Sequence, residues 1–94
     1  MNKYDVLFIL DNDLTEDQKA AMVSKFSDLI ASLGGVVSAT DIWGTKNYAY
    51  PINFKTQGYY VKMVFEADAN VPKEVNRIMR ITDGVVRNMI RRLA

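Results

Sequence analysis

The beginning of the chain has the pattern of a strand that lies inside a sheet. Over residues 4–10, apolar side chains occupy nearly every position on both faces, and only Asp5 interrupts them. A strand that is apolar on both sides is typical of the interior of a sheet. We therefore predict that the first strand is central.

A helix is predicted to follow this strand. Thr15 and Gln18 have the spacing of a capping box, in which each side chain bonds the backbone amide of the other residue. Gly34 is a residue type that commonly follows the last helical turn. The apolar positions between them recur at helical spacing, and the expected buried face comprises Met22, Val23, Phe26, Leu29, Ile30 and Leu33.

Two extended stretches, residues 36–52 and 59–66, are predicted to pair as a hairpin. We expect a bend or bulge at Gly44 and a turn over residues 53–58. Pro51 has no amide proton to donate to a ladder, so the first of these strands should lie at the edge of the sheet.

A second helix and a last strand complete the pattern. Pro72 suits the first turn of a helix, because an amide proton there would have no partner within the helix. The Asp83-Gly84 pair predicts a turn into a last strand over residues 85–93. The buried face expected for the helix comprises Val71, Val75, Ile78 and Met79.

The predicted order of elements is strand, helix, strand, strand, helix, strand. Because each crossover should be right-handed, the two halves interleave most simply as a split β-α-β unit. We predict an α+β, ferredoxin-like fold (βαββαβ), with a four-stranded antiparallel sheet in the order 4-1-3-2 and two helices on one face. Ninety-four residues suffice for a single domain, residues 1–94, with one modest core.

The composition argues against catalysis. The chain has no cysteine and no histidine, which removes disulfides, thiolate chemistry, and the commonest general base and metal ligand. It has no glycine-rich phosphate loop. The acids between Asp11 and Asp17 lack the spacing of a calcium loop, and a helix start explains them better. We expect no enzymatic activity, no cofactor, no metal site and no small-molecule substrate.

The chain also lacks the signals of a membrane or secreted protein. No apolar run approaches the roughly 20 residues that a membrane-spanning helix needs, and no signal-peptide cleavage pattern is present. We therefore expect a soluble, cytoplasmic domain without a membrane partner.

Charge is distributed unequally along the chain. Residues 1–45 carry a net charge of −4 and residues 46–94 carry +5, and all five arginines fall within the last eighteen residues. Such asymmetry is typical of a protein that presents a basic surface to a polyanion, although a solvated charged face explains it equally well. Basic and aromatic side chains alternate around Lys46, Tyr48 and Tyr50, which suits phosphate binding and base stacking. The residues alone thus indicate a candidate RNA-binding module.

Four segments resemble the bacterial small-subunit ribosomal protein six family. Residues 43–52 read Trp-Gly-Thr-Lys-Asn-Tyr-Ala-Tyr-Pro-Ile, which is similar to the family stretch W-G-[KR]-[RK]-x-L-A-Y-x-I. Residues 3–6, 57–60 and 80–87 resemble the family's opening, its segment after the hairpin and its late stretch. The four segments follow one another in the family's order along almost the whole chain.

This resemblance implies the split fold and a structural role in the small ribosomal subunit. It implies binding to the central domain of small-subunit ribosomal RNA together with ribosomal protein eighteen, mainly through phosphate and shape contacts. The RNA or partner contacts that it suggests are Lys3, Lys46, Asn47, Tyr50, Arg80 and Arg87. The basic last strand adds two further candidates, Arg91 and Arg92.

The chain departs from the family pattern within the hairpin motif. Tyr48 stands where the family stretch has leucine.

The sheet face without helices should carry an apolar portion for a protein partner, formed by Leu7, Ile9, Tyr60 and Val64. Two other classes of protein remain as alternatives. An RNA-recognition-motif protein shares the element order, but residues 59–65 lack its [KR]-G-[FY]-[GA]-[FY] stretch. A small-ligand regulatory domain would need an anion-binding loop after the first strand, where this chain has the acidic sequence Asp11-Asn12-Asp13.

Overall fold

Six elements follow one another in the predicted order. The structure, a computed structural model, describes residues 2–52 and 55–93, and within these ranges the side chains of residues 48–52, 55 and 56 are not described. The elements are β1 (Asn2–Asp11), α1 (Glu16–Ser32), β2 (Val36–Ile52), β3 (Lys55–Ala67), α2 (Val71–Ile81) and β4 (Val85–Arg92). None of the helices in the described ranges is long and apolar enough to cross a membrane.

The four strands form one antiparallel sheet in the order β2-β3-β1-β4. This order confirms the predicted split unit, with β1 inside the sheet and the proline-bearing β2 at its edge. Gly44 has a φ of +80°, and the β2–β3 register shifts between Ile42 and Gly44, which confirms the predicted bulge.

The core lies between the helices and one face of the sheet. Alternate residues of β1 point toward the helices and are buried: Tyr4, Val6, Phe8 and Leu10. They pack against α1 through Phe26 and Ile30 and against α2 through Val71, Val75 and Met79. The rings of Phe8 and Phe26 meet edge to face, with centroids 5.3 Å apart.

Local sequence signals account for the bounds of α1. The Thr15 hydroxyl accepts from the Gln18 amide at 3.1 Å, and the Gln18 side chain accepts from the Thr15 amide at 2.9 Å, so the capping box is confirmed. Gly34 follows the helix with a φ of +86°. A side chain at Gly35 would place its Cβ 2.8 Å from Ile30 Cγ2, so the chain can pass closely beneath the helix only because this residue is glycine.

The predicted turn of the hairpin is wrong over residues 55–58. These residues belong to β3, where Gly58 pairs with Lys46 and Gln57 pairs with Asn47. The Gln57 side chain also donates to the Asn47 side chain at 3.1 Å, which supports the ladder where sequence alone suggested a loop. Residues 53 and 54 lie outside the described residues.

Candidate protein and nucleic-acid interfaces

The face of the sheet opposite the helices carries an apolar strip. Leu7 and Ile9 lie there by strand alternation, Leu7 opposite Met89 of β4 and Ile9 opposite Tyr60 of β3. Val64 lies on the same face, opposite Asp5. This arrangement confirms that these residues lie on the sheet face without helices, and we call this side of the sheet the open face.

Trp43 of β2 and Met89 of β4 extend the apolar strip toward both edges of the sheet, and the sequence pattern predicts neither of them there. The Trp43 ring stacks on Tyr60, with centroids 6.3 Å apart and planes 9° from parallel, and its indole N–H donates to Asp41 at 3.1 Å. Trp43 remains 41% exposed and Met89 remains 52% exposed. Large exposed apolar side chains grouped in this way are typical of a protein-binding surface.

Asp5 is a buried carboxylate on the open face. It is only 3% exposed, and Arg91 donates to both of its oxygens, from Nε at 3.2 Å and from Nη2 at 2.8 Å. Lys62 Nζ lies 3.7 Å from the same carboxylate. The hydrogen bonds from Arg91 outweigh the effect of burial and hold the pKa of Asp5 below its usual value. Arg91, predicted to contact RNA or a partner, is therefore also part of an internal ion pair.

Because of this ion pair, the free energy of unfolding should depend on pH in the acid range. Since the pKa of Asp5 is lower in the folded protein than in the unfolded chain, its ionised form stabilises the fold. That contribution is complete above the ordinary pKa of 3.8 and is lost as the pH falls through the lowered value. We expect Asp5→Asn to be less stable than the wild type at about pH 7 and the difference to shrink toward about pH 2. Urea unfolding at both pH values tests this, and a difference independent of pH would contradict it.

Basic side chains gather along the edge formed by α2 and β4. Arg80 and Arg87 line one groove of about 290 Å³ between the end of α2 and the start of β4. Lys73, Arg91 and Arg92 line a second hollow of about 330 Å³ at the other end of β4. We call these five residues the basic edge. Glu74, the acidic residue of α2, forms an ion pair with Arg77. It therefore neutralises Arg77 and none of the five residues of the basic edge.

Of the other predicted contacts, Lys46 and Asn47 lie apart from the basic edge, and Lys3 lies beside it. Lys46 and Asn47 are exposed on β2, at the opposite side of the sheet. Lys3 is exposed near the start of β1, where its carbonyl accepts from the Leu93 amide at 2.8 Å. The side chain of Tyr50 lies outside the described residues. The structure thus brings Arg80, Arg87, Arg91 and Arg92 onto one edge and separates them from Lys46 and Asn47 by the width of the sheet.

Comparisons with known proteins by sequence and by structure all indicate the same family. A profile of the family described as ribosomal protein S6 matches residues 3–92. The small ribosomal subunit protein bS6 of Clostridium botulinum is 44% identical over 90 residues, which cover 96% of each chain. The bS6 protein of Caldanaerobacter subterraneus is 40% identical over 90 residues, covering 96% of this chain and 95% of that protein. A crystal structure of 30S ribosomal protein S6 from Thermotoga maritima has the same fold, with a TM-score of 0.94 at 22% identity, and the match covers 98% of this chain and 87% of that one.

Proposed function

The chain belongs to the ribosomal protein S6 family, and from this premise we propose that it binds the central domain of small-subunit ribosomal RNA together with ribosomal protein eighteen. Membership of the family makes it a structural, non-enzymatic component of the small ribosomal subunit, and its place of action is the cytoplasm.

The observation that carries the RNA-binding proposal is the clustering of cations on the basic edge. In the described part of the chain, Arg80 and Arg87 form no ion pair. Both are exposed and line the same groove, so together they can neutralise neighbouring phosphates of a folded RNA. Lys46 and Asn47 on the hairpin supply a second region of contact. Contacts of this kind position a protein on RNA by shape rather than by base sequence.

The open face suits a protein partner better than RNA. Its centre is apolar, and Trp43 and Met89 leave large apolar areas in contact with water. Covering such area is favourable by about 25 cal/mol per Å², whereas an RNA surface is mainly phosphate and sugar. We therefore assign the open face to ribosomal protein eighteen.

Binding to a central-domain RNA fragment, over a series of salt concentrations, tests this proposal. We expect tight, salt-sensitive binding that ribosomal protein eighteen strengthens. Absence of binding with and without this partner would overturn the proposal. Equal binding to unstructured single strands would instead favour a protein of the RNA-recognition-motif type.

A charge placed on the open face should separate the two interfaces. We expect Met89→Asp to weaken binding of ribosomal protein eighteen by about 30-fold or more, because a carboxylate would be buried against an apolar partner surface. Stability should change little, since Met89 is half exposed in the free protein. Calorimetric titration with ribosomal protein eighteen measures the effect.

Ile42→Asp is the matched control for this substitution. Ile42 is 53% exposed, similar to Met89, but it pairs with the buried Val61 and so lies on the helix side of the sheet. The Ile42→Asp substitution should leave the affinity for ribosomal protein eighteen unchanged. Equal losses in Met89→Asp and Ile42→Asp would argue against the open face as the interface.

A further inference from the structure

One lysine is buried at the base of the hairpin. Lys19 of α1 is only 5% exposed, which is rare for lysine unless its ammonium group is paired. Its Nζ lies 3.4 Å from the side-chain oxygens of both Asn12 and Glu16, and 4.7 Å from the centroid of the Tyr59 ring. Spacing gave a signal for this burial, because Lys19 lies four residues before Val23 and seven before Phe26 on the same helical face.

Asn12 connects this lysine to β2, the first strand of the hairpin. Its side-chain oxygen, which accepts from Lys19, also accepts from the Thr45 hydroxyl at 2.7 Å. Thr45 of β2 and Tyr59 of β3 are direct ladder partners. Asn12 therefore holds one member of this pair, and Lys19 holds the other.

This pair lies where the hairpin leaves the rest of the sheet. The last residue of β1, Asp11, is opposite Gly58, and Gly58 in turn is opposite Lys46. Beyond this point, in the described ranges, the two hairpin strands pair only with each other. A two-stranded ribbon twists more freely than a larger sheet, so its direction depends on how its base is held.

We propose that Asn12 and Lys19 are positioning residues that fix the direction of the hairpin for RNA binding. They do so without touching the RNA, since Lys19 is buried and Asn12 is half-buried beneath Thr45. A hairpin already held in its binding direction loses less conformational freedom on binding, which raises affinity. This inference rests on the proposed function, because it requires that the hairpin contacts RNA.

The salt dependence of RNA binding distinguishes a positioning residue from a contact residue. A side chain that neutralises a phosphate adds to the slope of log affinity against log salt, whereas a positioning residue changes affinity without changing that slope. We expect Asn12→Ala and Thr45→Val each to lower affinity for the central-domain fragment by about 5–10-fold at every salt concentration, with the slope unchanged. Lys46→Ala should lower the slope by about one unit.

Further variants test the mechanism rather than the fold. Thr45→Ser retains the hydroxyl and should bind like the wild type, whereas Lys19→Met should match Asn12→Ala. The double variant of Asn12→Ala and Thr45→Val should lose no more affinity than Asn12→Ala alone, because Asn12→Ala already removes the bond to Thr45. Residual dipolar couplings of the free protein should show residues 46–52 and 55–57 reoriented in Asn12→Ala and β1 unchanged.

The outcomes separate this inference from the proposed function. Wild-type affinity in Asn12→Ala and Thr45→Val, together with a lowered slope in Lys46→Ala, would overturn the positioning role and leave RNA contact by the hairpin intact. An unchanged slope in Lys46→Ala would overturn that contact and the inference with it. A lowered slope in Asn12→Ala would show a lost phosphate contact and also overturn the positioning role.

Discussion

Replacement of both Arg80 and Arg87 by alanine is expected to lower the affinity for central-domain RNA roughly 50-fold near 0.1 M salt. The two side chains line the same groove of the basic edge and are exposed. Each phosphate contact contributes a slope of about 0.9 to the dependence of log affinity on log salt, so the double variant should lose about 1.8 units. Filter binding or fluorescence anisotropy over a salt series measures both quantities.

Arg77→Ala is the matched control for this double variant. Arg77 lies on the same helix as Arg80, but its guanidinium is bound to Glu74, so removing it should change the RNA slope far less. A slope lowered by about 0.9 units in Arg77→Ala, half the change of the double variant, would show that net charge alone drives binding. An unchanged affinity in the double variant would remove the basic edge from the proposed interface.

Phe8→Ala is expected to lower the free energy of unfolding by about 3–5 kcal/mol. Phe8 is fully buried on the central strand and packs edge to face on Phe26, so its removal would leave a cavity between the sheet and α1. The fold has one modest core, and such a loss is a large share of the total stability of a small domain. Equilibrium unfolding in urea measures the change.

Met89→Ala provides the comparison on the same sheet. Met89 is half exposed on the open face, so its truncation should change the free energy of unfolding by only about 0.5 kcal/mol. Similar losses for Phe8→Ala and Met89→Ala would mean that the open face is covered in the isolated protein, contrary to the structure.

Most of the fold could be predicted from sequence because its signals are local. Apolar residues on both faces of β1 indicate that the strand lies inside the sheet. The Thr15 and Gln18 side chains bond each other's backbone amides within one helical turn. Pro51 has no amide proton to donate, which excludes β2 from an inner position in the sheet. The order of strands then followed from the handedness of the crossovers. The four family-like segments added the ribosomal assignment, which the comparisons confirmed at the level of the family.

The interfaces could be predicted only in part, because their members come from distant positions. Sequence identified the basic residues, but only tertiary structure divides them between the basic edge and the hairpin. Asp5 and Arg91 are 86 residues apart in the sequence, and no spacing rule predicts that they pair. The bond between Asn12 and Thr45 likewise spans 33 residues.

The sequence by itself therefore determined the elements, the helix start, the central and edge strands, and the side of β1 that faces the core. These features depend on backbone hydrogen bonding and on the periodicity of neighbouring side chains, which are properties of short segments. Tertiary structure alone decided how far the hairpin extends, which cations share a surface, and which groups contact the buried Lys19. Those features depend on side chains that meet only after the strands have paired, so the chain has to fold before they exist.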